Sequence, residues 1–135
     1  MMKRPTYFLV NDTRYDNHHG SLTVVENLHR GMTERGWSCV GSLPVSSPPG
    51  RLERHRRALR EADLVLVNGE GSLHHDSRNA TRILAVCDIL RETHPVALIN
   101  TLWQANDTAR WKPFLQACAA VYARDRRSRD ELSAI

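Results

Sequence analysis

Asp63-Leu64-Val65-Leu66-Val67-Asn68-Gly69-Glu70-Gly71-Ser72-Leu73-His74-His75-Asp76 is the stretch on which the fold turns. Leu64 to Val67 are apolar without alternation, the pattern of a strand buried on both faces at the centre of a parallel sheet. A polar, glycine-containing loop follows at once. Ser77 can then cap a helix from Arg78 to Thr93, with Ile83, Val86, Cys87 and Leu90 turned inward. Strand, loop and helix in this order form the repeating unit of an α/β protein.

Outward from this unit the alternation recurs. Toward the N-terminus, Tyr7–Asn11 reads as a first strand. Ser21–Arg35 follows as a helix, with Leu22, Val25, Leu28 and Met32 at helical spacing, Ser21 as its cap and Gly36 as its stop. Trp37–Leu43 reads as a second strand closed by Pro44. Ser46-Ser47-Pro48-Pro49-Gly50 is a loop, and Arg51–Ala62 a helix. Toward the C-terminus, Pro95–Thr101 is a fourth strand. Ala109–Cys118 is a helix whose start Pro113 limits, Ala119–Ala123 a fifth strand, and a further helix begins at Ser128. The expectation is an α/β, Rossmann-like, doubly wound parallel sheet of about five strands with right-handed crossovers. No linker, repeat or low-complexity segment divides residues 1–135, so they read as one domain.

Composition narrows the function. The chain has 135 residues, 41% of them hydrophobic and 25% charged, which suits one globular domain and not a disordered segment. The formal net charge is +4, and the excess is uneven: Arg51, Arg54, Arg56, Arg57 and Arg60 crowd one segment, Arg124, Arg126, Arg127 and Arg129 another. Such charge favours phosphate-bearing ligands or acidic partners, although a solvated helix face is the plainer reading. Nucleic acid is not expected, because no basic stretch is interleaved with aromatics. Cys39, Cys87 and Cys118 are dispersed with no Cys-x-x-Cys, as for buried thiols in a reducing cytosol, and they argue against a cysteine zinc site. The apolar run near the N-terminus, Tyr7 to Val10, is too short for a signal peptide or a transmembrane segment. A cytoplasmic location is expected.

Three predicted strands run into an asparagine: Val10-Asn11-Asp12, Val67-Asn68-Gly69 and Ile99-Asn100-Thr101. Ligands of open parallel sheets bind outside the carboxyl ends of the strands, so these ends are the candidate site. Gly69 and Gly71 permit positive φ and close approach of a ligand, and successive amides before a helix N-terminus can hold an anion. A tight turn alone explains the glycines, but not the intervening Glu70 or the following His74, His75 and Asp76. The loop is neither a dinucleotide fingerprint, whose third glycine falls at His74, nor a P-loop, which needs a lysine. His74, His75 and Glu70 are the proton-transfer candidates. Adjacent histidines do not share a face, so one is expected toward the crevice and the other in a packing or capping role.

The first loop, Asn11 to Ser21, is long and polar, and Asp12 or His19 could touch a substrate hydroxyl. In the fourth strand's loop, Trp103 and Gln104 follow Asn100. An indole beside amides suits a sugar, though a core or lobe-interface role accounts equally for Trp103. The candidate binders are therefore Asn11, Asp12, His19, Asn68, Gly69, Gly71, Ser72, Asn100, Trp103 and Gln104. His18, His19, Glu70 and Asp76 lack metal-binding spacing, and no metal is expected. No Ser-His-Asp triad or nucleophile elbow is present.

At these residues the sequence resembles the polysaccharide pyruvyl transferase family. The resemblance is carried by Asn11-Asp12-Thr13 with His19-Gly20-Ser21, by the run from Ala62 to Asp76, by Pro95 to Asn106, and by Val121-Tyr122-Ala123-Arg124 with Ser128. It covers most of the chain in one order, and Asn68-Gly69-Glu70-Gly71-Ser72-Leu73-His74-His75 is its most specific part. It implies one lobe of a two-lobed transferase of the GT-B type. The implied reaction moves pyruvate from phosphoenolpyruvate to sugar hydroxyls of a glycan, leaving a ketal, with phosphoenolpyruvate as donor substrate and no cofactor. It implies basic donor-binding residues in a second lobe, so this chain reads as the N-terminal half of a longer protein. The uncovered lobe face would meet that lobe, a partner chain or a second copy. Two other readings share the fold: a GT-B glycosyltransferase lobe using a nucleotide sugar, and a non-catalytic sugar- or anion-binding domain.

Overall fold

The computed structural model describes residues 2–16 and 19–135. His18 lies outside them, and so does Asn17 of the first loop. Five strands form one sheet: β1 (Thr6–Asp12), β2 (Ser38–Pro44), β3 (Leu64–Asn68), β4 (Val96–Thr101) and β5 (Ala120–Ala123). All neighbours are parallel and their lateral order is β2-β1-β3-β4-β5. The predicted parallel α/β sheet is thus present. Its order is the shorter of the two common doubly wound arrangements, in which the winding reverses between the first and third strands.

Helices α1 (His19–Glu34), α2 (Arg56–Glu61), α3 (Arg78–Leu90), α4 (Thr108–Ala117) and α5 (Arg126–Ser133) accompany the strands. Alternation along the strands divides the core. Phe8, Val10, Val65, Val67 and Leu98 face one side, where Leu59 of α2, Ile83, Leu84 and Cys87 of α3, and Trp111 and Phe114 of α4 close over them. Tyr7, Leu9, Leu66 and Ala97 face the other side against Val25, Leu28 and Met32 of α1. β3 is paired on both edges and its residues Val65 to Asn68 are buried, as its unbroken apolar run requires.

Three local departures have physical causes. The helix expected over Arg51–Ala62 is split: Pro49–His55 is a 3₁₀ helix and only Arg56–Glu61 is α-helical. Its N-cap, Pro48, has no side chain able to accept from the exposed amides, so the opening turns stay tight. Ser21 is not a cap. The helix starts two residues earlier, at His19, and Ser21 is buried within its first turn. The last helix starts at Arg126, because Asp125 caps it by accepting from the Ser128 amide at 2.8 Å. The buried Ser128 instead accepts through Oγ from the Trp103 amide. Ser77 caps α3 as expected, accepting from the Ala80 amide at 3.1 Å. Among the described residues no helix is long and apolar enough to cross a membrane.

Candidate functional site

The register aligns the carboxyl ends of the central strands. Val10 lies beside Val67 and Val67 beside Leu98, so the polar residues that follow emerge together at the switch point. Asn11 and Asn100 both have positive φ, 64° and 51°. Asparagine tolerates this left-handed conformation better than most residues, which gives a backbone reason for two of the three strand-end asparagines. Asn68 remains extended and serves as the hub. The Asn11 amide nitrogen Nδ2 donates to the Asn68 carbonyl at 2.7 Å. Asn68 Oδ1 accepts from the Glu70 amide at 3.2 Å, and Asn100 Nδ2 lies 3.5 Å from the same oxygen.

Glu70 is held from two strands. Its Oε2 accepts from Thr13 Oγ1 at 3.0 Å and lies 3.4 Å from Asn68 Nδ2. Ser72 Oγ donates to the Glu70 carbonyl at 2.8 Å and lies 3.3 Å from Asn11 Nδ2. Gly69 is required by closeness rather than by φ: a Cβ there would come within 2.8 Å of Thr101 Cα. Gly71 is required by φ, at +52°, with open space around it.

A crevice of about 540 Å³ opens over this network. Thr13, Glu70, Ser72 and His74 line it, with Asn79 of α3 and Arg124 after β5. Of the sequence candidates, Glu70, Gly71, Ser72 and His74 line it, while Asn11, Asn68 and Asn100 do not but belong to the hydrogen-bond network around Glu70 and Ser72, and Gly69 allows the close approach to Thr101. His74 and His75 divide their roles. His74 lines the crevice, whereas His75 is exposed, has φ of 52°, and donates its amide to the Gln104 carbonyl at 2.8 Å. Their Nδ1 atoms are 3.1 Å apart with the rings edge to face, so one nitrogen donates and the other accepts.

The remaining candidates stand elsewhere. Asp12 is completely buried and paired with Arg14, the closest contact being 2.6 Å. Burial alone would raise its carboxyl. Hydrogen bonds from Arg14 and Ser42, with the Arg14 charge, outweigh that and hold it below the ordinary carboxylate range. Its acceptors are engaged inside the protein. His19 is exposed on the first turn of α1 and does not line the crevice. Trp103 is a core residue with no exposed surface, so it presents no face on which a sugar could stack. Gln104 contributes main-chain atoms, donating to the Leu73 carbonyl and accepting from the His75 amide. Asp76 accepts from the Asp107 amide, which ties the third loop to the start of α4. No group of three potential metal ligands forms among the described residues.

Sequence reasoning passed over Thr13, Asn79 and Arg124 as parts of the site. Thr13 follows β1 in a long polar stretch, and its role depends on which strand neighbours β1. Asn11 Oδ1 and Thr101 Oγ1 are buried without partners among the described residues, leaving hydrogen-bonding capacity unspent at the strand ends. In comparisons with known proteins, no family model matches the chain and no curated protein matches it significantly.

Proposed function

We propose that this chain is one lobe of a polysaccharide pyruvyl transferase-like enzyme, moving pyruvate from phosphoenolpyruvate to hydroxyls of a glycan. The observation that carries the reading is the pairing of Glu70 with His74. A carboxylate and an imidazole from one loop line the same crevice at the switch point of the sheet. Carboxylate and imidazole are the usual means of moving protons at neutral pH. The resemblance of the Asn68–Asp76 run to that family supplies the reaction.

Ketal formation needs a proton on the donor's methylene carbon and the loss of protons from two sugar hydroxyls. Glu70, oriented by Thr13, takes a proton as the first hydroxyl oxygen bonds to the donor's central carbon. His74 delivers a proton to the methylene carbon, which becomes a methyl group. The second hydroxyl closes the ketal as the bond from that carbon to the phosphate oxygen breaks. Of the two hydroxyl protons, one is balanced on the methyl group and the other leaves with inorganic phosphate. His75 engages Nδ1 of His74, so Nε2 is the nitrogen left for substrate. Ser72, Asn79 and Arg124 are the polar groups available to a sugar or to an anionic donor. The GT-B partner lobe would bring further cations for the donor's carboxylate and phosphate. A cytoplasmic setting goes with this reading, since Cys39, Cys87 and Cys118 are all free thiols.

The test is phosphate release from phosphoenolpyruvate in the presence of glycan acceptors, with ketal formation followed by mass. Glu70→Gln and His74→Ala should each lower turnover by ~100-fold or more. In the two-lobed protein, wild-type rates in both variants would remove these residues from the chemistry, and a lack of any donor turnover would remove the reaction.

A further inference from the structure

A second crevice, of about 690 Å³, lies beside the first, and Val45 lines both. It is bounded by the end of β2, the 3₁₀ helix Pro49–His55 and the side of α3. Arg51, Arg54, His55 and Arg82 line it, and among the described residues no aspartate or glutamate does. Arg51, Arg54 and His55 come from the 3₁₀ helix and Arg82 from α3. None of the three arginines forms an ion pair among the described residues, whereas Arg14, Arg56, Arg91, Arg127 and Arg129 all do. Arg82 is half-buried and positioned, its Nη1 donating to the Ser46 carbonyl at 3.1 Å. Ser46 itself has φ of 62° and donates through Oγ to Asn79 of the first crevice. The His55 ring packs edge-on against Phe8, 5.6 Å between centroids, which fixes it at the crevice wall. Tyr15, largely exposed, stands at the rim. Unneutralised arginines sharing one concave surface form a site for a multiply charged anion, and their planar forks match phosphate oxygens.

We propose that this crevice binds the phosphate or diphosphate group of a phosphorylated sugar ligand. The sugar is then carried toward Glu70 and His74 in the adjoining crevice. This deepens the reading above and rests on it for the sugar: the acceptor is a phosphate-activated glycan precursor rather than a finished polysaccharide. The phosphate site itself stands on the arginines alone.

The test is calorimetric titration of the full chain with inorganic pyrophosphate at fixed ionic strength, beside uridine diphosphate, phosphoenolpyruvate and sulfate. One saturable pyrophosphate site is expected, weakened about tenfold or more in Arg51→Gln/Arg54→Gln and in Arg82→Gln, and partly restored in Arg82→Lys. Arg51 and Arg54 are exposed, so the double variant should keep its melting temperature. Equal affinity for pyrophosphate and uridine diphosphate points to a lipid- or sugar-linked diphosphate. Tighter uridine diphosphate binding that Tyr15→Ala abolishes points to a nucleotide-linked sugar. Either result supports the site. Binding that the arginine variants leave unchanged, or that sulfate matches, overturns it. Displacement of pyrophosphate by phosphoenolpyruvate overturns its assignment to the acceptor. Arginine-dependent pyrophosphate binding without donor turnover by the two-lobed protein would leave this site standing and sink the pyruvyl transfer reading.

Discussion

The side-chain amide of Asn11 donates to the main-chain carbonyl of Asn68 across 2.7 Å, joining the two strands between which the winding of the sheet reverses. The bond is buried, and both residues are at most 1% exposed. It therefore does two things at once. It satisfies a carbonyl that has passed the end of the ladder, and it sets the separation of the loops that carry Thr13 and Glu70.

Replacing Asn11 separates these roles. Asn11→Ala loses the bond, leaves the Asn68 carbonyl short of a partner at about 1–3 kcal/mol, and adds left-handed strain of about 1–2 kcal/mol. Asn11→Gly loses the bond and relieves the strain. Urea denaturation should therefore rank wild type above Asn11→Gly above Asn11→Ala. Equal midpoints for the two variants would show that φ at this position is not a constraint.

The two loop glycines should respond differently to a methyl group. Gly69→Ala drives Cβ against the Thr101 backbone, where no flexible side chain can yield, so β3 and β4 must part. Gly71→Ala meets open space and suffers only the strain of its positive φ, about 1–2 kcal/mol. The melting temperature should fall further in Gly69→Ala. If Gly71→Ala is the worse variant, the strand ends are not as tightly apposed as described.

Tyr7 and His29 give a pH dependence with a definite sign. The buried Tyr7 hydroxyl is hydrogen-bonded to His29 Nδ1. Burial, then the charge of Arg14, pushes the imidazole below its ordinary value of 6.5. The unfolded chain thus binds the proton first. The contribution is full above pH 6.5 and is lost as pH falls from there through the lower folded value. Asp12 acts in a separate window, its contribution disappearing only as pH falls below the ordinary 3.8 toward its lower folded value. Denaturation measured across mild acid should show a slope that His29→Asn reduces. An unchanged slope would exclude His29 as its source.

Thiol reactivity should follow burial. Cys87 is fully enclosed and burial raises its thiol far above the usual range, while burial pushes Cys118 up to about 11. Cys39 is also raised by burial of its sulfur, but its residue is exposed at the edge strand β2. Alkylation of the native protein, located by peptide mass, should mark Cys39 first, Cys118 more slowly and Cys87 only on unfolding. Early labelling of Cys87 would mean that α3 opens readily.

The legible and illegible parts of this chain divide along one line. Features fixed by near neighbours could be read: the apolar run of β3, the Ser77 cap, and the asparagines that end three strands. Features fixed by lateral packing could not. Parallel strands announce themselves by period and not by order, so the partnership of Thr13 with Glu70 depended on knowing that β1 borders β3. Trp103 sits among amides in the sequence, yet its indole is fully buried in the larger core cluster, and its main-chain amide is held by Ser128 of α5. The 3₁₀ stretch Pro49–His55 was hidden for another reason: residues arranged for one helical face fit either pitch over so short a span. Arg51 and Arg54 belong legibly to one basic segment, but that Arg82 shares a cavity with them depends on the fold, which sets α3 beside the 3₁₀ helix.

Asn68-Gly69 is also, chemically, the pair in the chain most prone to spontaneous ageing, since a glycine amide can close on the preceding asparagine side chain and expel ammonia. Thermolabile asparagines are a recognised weakness of proteins. Here the Gly69 amide is committed to the Ile99 carbonyl at 2.9 Å, and the Asn68 side chain is sealed from water and tethered to the Glu70 amide. Ring closure would require both to let go. The network that shapes the strand ends therefore also acts as a preservative, and aspartate or isoaspartate at position 68 would record how often a molecule had opened during its lifetime.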